Sequence, residues 1–260
     1  MLSFDYAQFQ AIFLAYAMPC ARILAFVAIA PIWGTGGAPA LIRLMLGLAL
    51  SFVIAPVLPE ISHVVALNTW AAFDMLAAQI FIGIAMGLSM RLIFSAIDIA
   101  GEYIGYQMGL GFATFYDPVE SSQTPVMAEF MTLIAILLFL AINGHYLYIE
   151  ALVKSFQYMP VDFLSAIAAK SVAHIAHLGA LMFSFGLLLA LPIVATILMI
   201  NTTLAILTRA APQLNIFALG FPMTLLGGFV LLGIGLNYMQ PMMIYIFERA
   251  LESILAFFPR

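Results

Sequence analysis

Apolar residues fill long, nearly unbroken stretches of this chain, and the polar positions fall where those stretches pause. The first stretch reaches Ile29 with only Pro19 and Arg22 interrupting it, and another runs from Trp70 to about Gln107. At about 1.5 Å per residue, the helix from Trp70 is far longer than the roughly 30 Å hydrocarbon core of a bilayer. The pattern therefore predicts long α-helices that tilt, kink or extend beyond a membrane.

Three more helices are predicted in the second half of the chain, over about 125–156, 171–208 and 223–255. The first of them is interrupted by a polar triplet, whose polar groups we expect to satisfy the freed backbone of a kink. The last two are expected to meet at a joint over 209–222. The residues predicted for the polar kink and the joint are Asn143, Gly144, His145, Arg209, Pro212 and Asn215.

A glycine-flanked loop separates the long central helix from the helices that follow. Glycines loosen the backbone at its start, and an Asp-Pro pair disfavours helix at its end. Its aromatic side chains either line and close a passage or sit at a membrane interface outside the hydrocarbon. The loop comprises Gly109, Leu110, Gly111, Phe112, Ala113, Thr114, Phe115, Tyr116, Asp117 and Pro118.

Two pairs of glycines recur at four-residue spacing along the long central helix. Gly83 and Gly87 form one pair, and Gly101 and Gly105 form the other. Small residues at this spacing let the backbone of a neighbouring helix approach closely. We therefore predict helix packing at both pairs.

Composition places the chain among integral membrane proteins. Hydrophobic residues make up 65% of the 260 residues and charged residues 8%, and the mean hydropathy is +1.15. Soluble and disordered classes are excluded, because neither has so little charge. We found no fixed repeat and no low-complexity linker, so residues 1–260 are expected to form a single membrane domain.

Few residues suggest chemistry. The net charge of −4 is dispersed, so no nucleic-acid partner is expected, and a single cysteine excludes a cysteine-rich metal site. Neither an HExxH nor a GxSxG motif occurs, so we expect no enzyme and no cofactor.

Three charged residues of the long central helix, Arg91, Asp98 and Glu102, face roughly the same way at spacings of seven and four. Three interpretations remain open for them. They form an ion or proton relay, they dock the helix onto a partner, or they lie outside the hydrocarbon because the helix is too long for it. The relay would correspond to an ion-coupled secondary transporter, which is the alternative function.

Three motifs, in order, resemble the FliR/SctT export-gate family of type III secretion systems over essentially the whole chain. They are GE at 101–102 followed by QMGLGFATFYDP at 107–118, NGH at 143–145, and RAAPQLNIFALGFP at 209–222. The second half of the first motif looks more flagellar than injectisome-like. The resemblance predicts an all-α membrane fold of long, kinked hydrophobic helices in hairpins, with a glycine-flanked central plug loop.

The resemblance also implies a non-enzymatic function. Proteins of this family join FliP and FliQ in a channel through which unfolded flagellar subunits cross the bacterial inner membrane, with FlhB and FlhA as further partners. One copy of the chain per gate, at the flagellar basal body, is expected. In the family, the loop that matches residues 109–118 extends into the lumen as a plug, and the paired glycines become sites of close packing with neighbouring chains.

Overall fold

The computed structural model describes residues 6–31, 39–58, 69–111, 125–159, 167–211 and 216–256. Within these ranges the chain is helical and contains no strand. The helices are α1 (Tyr6–Ile29), α2 (Ala40–Ile54, extended by a 3₁₀ turn at Ala55–Val57), α3 (Thr69–Gln107), α4 (Val126–Ala141), α5 (Gly144–Tyr158), α6 (Ile167–Ala210) and α7 (Ile216–Ala256).

Among the helices that the structure describes, four are long and apolar enough to cross a membrane. Their apolar spans are Ala40–Val57, Ala72–Gln107, Ala176–Ala210 and Gly220–Ile254, and the number rises to five if α4 and α5 together count as one broken span. The predicted class, an all-α membrane protein of long helices, is confirmed. Of the central loop, only residues 109–111 are described, so its predicted remainder at 112–118 lies outside the described residues.

The chain divides into two compact units. The first comprises residues 1–92, 143–178 and 249–260, and the second comprises 93–142 and 179–248. The single domain expected over 1–260 stays a prediction, and the two units are described separately below.

In the first unit, α1 packs against α2 and against the first part of α3. A Cβ atom at Gly47 of α2 would lie 2.5 Å from a methyl carbon of Leu24 on α1. The core of this unit contains Phe26 and Ile82, whose side chains are fully buried. Gly47 therefore allows α2 to lie close to α1, and Gly83 allows the same for α3, since a Cβ atom there would lie 2.3 Å from the carbonyl oxygen of Arg22.

In the second unit, the end of α3 packs against α4, α6 and α7. Gly186 of α6 lies close to the carbonyl of Ala96, since a Cβ atom there would be 2.9 Å from the oxygen. Phe94, Phe139 and Phe247 bring α3, α4 and α7 together, with ring centroids 5.2 to 5.6 Å apart. Such edge and tilted contacts are favourable geometries for aromatic rings.

One predicted boundary differs from the structure. The joint was expected over 209–222, but α6 continues through Ala210 and α7 already begins at Ile216. Pro222 therefore lies inside α7. A proline removes only one backbone N–H from a helix. Because the apolar residues before and after Pro222 continue the helical pattern, the helix accommodates this proline.

Candidate functional site

The central loop leaves α3 through a defined helix end. The N–H of Met108 donates to the carbonyl of Ile104 at 2.9 Å, and that of Gly109 to the carbonyl of Tyr106 at 3.0 Å. Gly109 has a φ of 82°, the left-handed conformation with which glycine commonly ends a helix. The chain is thereby turned away from the axis of α3 at the first residue of the loop.

Helix α7 holds the residue before this turn. The side chain of Met108 is fully buried, and a Cβ atom at Gly228 would lie 2.5 Å from its Cγ. The hydroxyl oxygen of Thr224 lies 3.3 Å from the carbonyl oxygen of Met108 and 3.0 Å from that of Phe221. The start of the loop is therefore fixed to α7 by packing and by a hydroxyl shared between two carbonyls.

Helix α4, the next element that the structure describes, begins against the end of α3. A Cβ atom at Gly101 would lie 2.5 Å from the Cα of Ala128, and one at Gly105 would lie 3.2 Å from the Cβ of Met127. Helix α4 begins directly after Pro125, whose carbonyl accepts a bond of 3.0 Å from the N–H of Glu129. The end of α3 and the start of α4 thus touch, and we call this contact, together with Met108 and Thr224, the loop root.

The other predicted glycine pair lies in the first unit. A Cβ atom at Gly83 would be 2.3 Å from the carbonyl oxygen of Arg22, and one at Gly87 would be 3.0 Å from that of Phe26. The close approaches at all four predicted glycines are therefore made with helices of the same chain. A role for these glycines in binding other chains stays a prediction.

The predicted charged residues have different surroundings. Arg91 is exposed and Glu102 is half-buried. Asp98 is also half-buried, and it accepts a hydrogen bond from the hydroxyl of Thr132 on α4. Asp98 therefore contributes to the packing of α3 on α4, directly beside the loop root.

The predicted polar kink lies between α4 and α5. Asn143 is exposed with a φ of 57° and makes no capping bond with its side chain. Its carbonyl accepts the N–H of Tyr146 at 3.0 Å. Gly144 is buried, and the half-buried His145 ring lies 4.2 Å from that of Tyr146. At Asn143 the left-handed backbone and the main-chain carbonyl make this turn, and the role expected for the triplet stays a prediction.

The joint between α6 and α7 is described only in part. Arg209 is exposed in the last turn of α6, where a cation complements the negative end of the helix dipole. Pro212 and Asn215 lie outside the described residues.

Comparison with known protein families shows to which family the chain belongs. The family described as "Bacterial export proteins, family 1" matches residues 13–250, which is most of the chain. The chain belongs to this family. The family resemblance that the motifs predicted is confirmed.

Curated relatives of this export protein carry a consistent name. "Flagellar biosynthetic protein FliR" of Pectobacterium carotovorum subsp. carotovorum is 40% identical over 239 residues, covering 90% of this chain and 88% of the relative. That of Escherichia coli (strain K12) is 38% identical over 234 residues, with the same coverage. That of Bacillus subtilis (strain 168) is 28% identical over 245 residues, covering 93% of both chains.

The export protein contains a buried cation that the sequence patterns did not single out as a site. Arg22 on α1 is fully buried in the first unit. Its Nε donates to Gln79 at 2.8 Å, its Nη1 to the hydroxyl of Ser155 at 3.0 Å, and its Nη2 to the carbonyl of Met159 at 2.9 Å. The guanidinium carbon also lies 4.1 Å from the ring centroid of Phe156. One side chain therefore joins α1, α3 and α5.

The environment of Arg22 suits a charge that is buried among neutral groups. Met159 is the C-cap residue of α5, and the last carbonyls of a helix carry partial negative charge. The Ser155 hydroxyl accepts from Arg22 and donates to the carbonyl of Leu152 at 2.6 Å. A lone arginine in an apolar helix is the sequence signal that indicates such a site.

We expect Gly109→Ala to destabilise the loop root. The left-handed backbone at Gly109 costs roughly 1–2 kcal/mol for a residue with a side chain. Hydrogen–deuterium exchange of the segment 104–111 should therefore become faster. Gly111→Ala is the matched control, because its Cβ atom would make only an ordinary 3.5 Å contact with Tyr106. Equal exchange in the two variants would contradict the assignment of strain to Gly109.

Proposed function

We propose that this chain is a component of the flagellar type III export gate, where it forms a channel with FliP and FliQ for unfolded flagellar subunits. The observation that carries the proposal is the family match over residues 13–250, together with relatives named "Flagellar biosynthetic protein FliR" at up to 40% identity. The apolar spans suit a multi-pass membrane protein. The bacterial inner membrane at the flagellar basal body is the location that this function requires, with FlhB and FlhA as further partners.

We further propose that residues 109–118 act as the plug of this channel. The loop root supports this, because α3 and α4 touch at Gly101 and Ala128 while Gly109 turns the chain out of α3. A loop whose two ends are held at one place can occupy a passage without loosening its supporting helices. Phe112, Phe115 and Tyr116 supply the bulk and the apolar surface that close a pore by steric block and dewetting.

Native mass spectrometry tests the assembly. The tagged chain would be extracted in mild detergent from cells that also express FliP and FliQ. We expect one copy of this chain in a complex with several copies of both partners. A stable monomer or homo-oligomer, with both partners present, would contradict the gate. That outcome would favour the ion-coupled transporter that uses Arg91, Asp98 and Glu102.

Replacement of the three loop aromatics tests the plug. We expect the triple change of Phe112, Phe115 and Tyr116 to serine to raise ion conductance through the reconstituted gate, because the bulk and the apolar surface of the closure are lost. Conductance is measured in planar bilayers containing the purified complex.

The control for this experiment removes the same number of aromatics from exposed positions outside the loop. Trp70, Phe73 and Tyr146 are suitable, since each is well over half exposed. Their triple change to serine should leave conductance at the wild-type level. If the loop variant conducts ions no better than this control, the plug assignment is refuted while the assembly proposal remains intact.

A further inference from the structure

The break between α4 and α5 places two groups side by side that can react with each other. Asn143 carries a side-chain amide, and the next main-chain nitrogen belongs to Gly144. Attack of this nitrogen on the Cγ atom of Asn143 closes a succinimide ring, and glycine has no side chain that obstructs the approach. The surroundings of the two residues therefore decide whether the amide survives.

The amide of Asn143 is free to move. Asn143 is exposed, and its side chain makes no capping bond to α5 and no hydrogen bond to another described residue. Among the residues that the structure describes, it is also the one non-glycine residue with a positive φ, a conformation that is unfavourable for a residue with a side chain. The reacting amide therefore leaves a strained backbone position, and none of its own hydrogen bonds has to break first.

The nitrogen of Gly144 lies at the first position of α5. The first N–H groups of a helix have no acceptor within that helix, so the hydrogen-bond ladder of α5 does not hold this N–H. The positive end of the helix dipole lies at the same place and favours loss of the proton from the nitrogen. Both effects make this nitrogen a better nucleophile than one in the middle of a helix.

Two other asparagines have the opposite setting. Asn201 lies inside α6 and precedes Thr202, and Asn237 lies inside α7 and precedes Tyr238. At both positions the following N–H belongs to the hydrogen-bond ladder of the helix, and a branched or aromatic side chain stands beside it. The chain thus contains its own controls for a reaction at Asn143.

We propose that Asn143 is a site of spontaneous deamidation, a reaction to which asparagine is prone. The nitrogen of Gly144 bonds to Cγ of Asn143, the bond from Cγ to the side-chain nitrogen breaks, and ammonia leaves with the proton that Gly144 loses. Water then adds to one carbonyl of the ring and breaks its bond to the ring nitrogen, which gives aspartate or isoaspartate. Either product adds a negative charge before α5, and isoaspartate also lengthens the main chain by one carbon between α4 and α5.

Peptide mass spectrometry of the purified full chain tests this site. The chain is incubated in mild detergent at mildly alkaline pH and sampled over time, and fragmentation by electron transfer separates aspartate from isoaspartate. We expect Asn143 to convert on the order of tenfold faster than Asn201 and Asn237, because a helix hydrogen bond must break before either of those can react. Equal rates at the three asparagines would overturn the proposal.

A second measurement separates the effect of the fold from that of the Asn-Gly sequence. The same chain, unfolded in a denaturing detergent, gives the intrinsic rate of conversion at Asn143. We expect the folded chain to react at a rate within about tenfold of the unfolded one. An amide that reacts only in the unfolded chain would show that the fold protects Asn143, and the proposal would fail.

Asn143→Gly is the matched control variant. Glycine adopts the left-handed backbone readily, so the variant should fold, but it lacks the amide, and the peptide from this segment should keep its mass. A mass gain in this variant would place the reaction at another residue and refute the assignment. These measurements use the chain alone, so their outcome does not depend on whether it assembles into an export gate.

Discussion

Arg22→Met is expected to destabilise the chain more than a typical substitution. The change leaves the oxygens of Gln79, Ser155 and Met159 without the donors that Arg22 supplies. Each such loss at a buried acceptor costs about 1–3 kcal/mol, so the total is about 3 kcal/mol or more. In a chain of this size, that corresponds to a melting temperature lower by roughly 6–12 °C, which thermal unfolding in mild detergent would measure.

Arg249→Met is the matched control for this experiment. Arg249 is exposed and donates to Glu252 at 2.8 Å within α7, so the same chemical change should cost no more than about 0.5 kcal/mol. Arg22→Lys should fall between the two, because an ammonium lacks the planar fork that reaches three acceptors. Equal melting temperatures for Arg22→Met and Arg249→Met would show that the buried network contributes little to stability.

Gly101→Ala is expected to separate α3 from α4 at the loop root. The added Cβ atom would lie 2.5 Å from the Cα of Ala128 and 2.8 Å from its nitrogen. Backbone atoms cannot move aside singly, so the helices must shift, at a cost of about 3 kcal/mol, the upper end for overpacking. Thermal unfolding in detergent should show the loss of stability, and exchange of amide hydrogens at 104–111 should show the opening of the root.

Alanine substitutions at two other glycines serve as controls for Gly101→Ala. A Cβ atom added at Gly179 on α6 would meet nothing within 4 Å. Gly179→Ala should therefore raise the free energy of unfolding by about 0.5–1 kcal/mol, whereas Gly101→Ala should lower it. Gly105→Ala meets the Met127 side chain at 3.2 Å, which can yield, and its cost should be smaller than that of Gly101→Ala. A Gly101→Ala variant as stable as the wild type would show that the helices have room to part freely.

The long helix α3 was the most predictable element. Its expected limits, Trp70 to about Gln107, agree with Thr69–Gln107, because Gly109 ends the helix and the apolar pattern is continuous before it. The glycine pairs were predicted to permit close approach, but the helix that approaches was not predictable. Spacing along one helix shows which face is small, whereas the partner helix is chosen by tertiary packing.

Long-range hydrogen bonds could not be predicted from the sequence. Arg22 stood out only as a cation within an apolar stretch, and its three acceptors lie 57, 133 and 137 residues away. The break at Asn143 was visible from its polar triplet, but the left-handed backbone there was not. Local patterns report propensity, while these features depend on which groups the fold brings together.

The Arg22 network also sets an order of events during synthesis. Its last acceptor, the carbonyl of Met159, is made 137 residues after Arg22. At about 5–20 residues per second, the nascent chain waits roughly 7–30 s before that acceptor exists. For this interval the guanidinium must be hydrated, held at the lipid headgroups or sheltered by the insertion machinery. The first helix therefore reaches its final setting only after α5 has been translated, and a chain truncated before Ser155 should be a preferred substrate for membrane quality control.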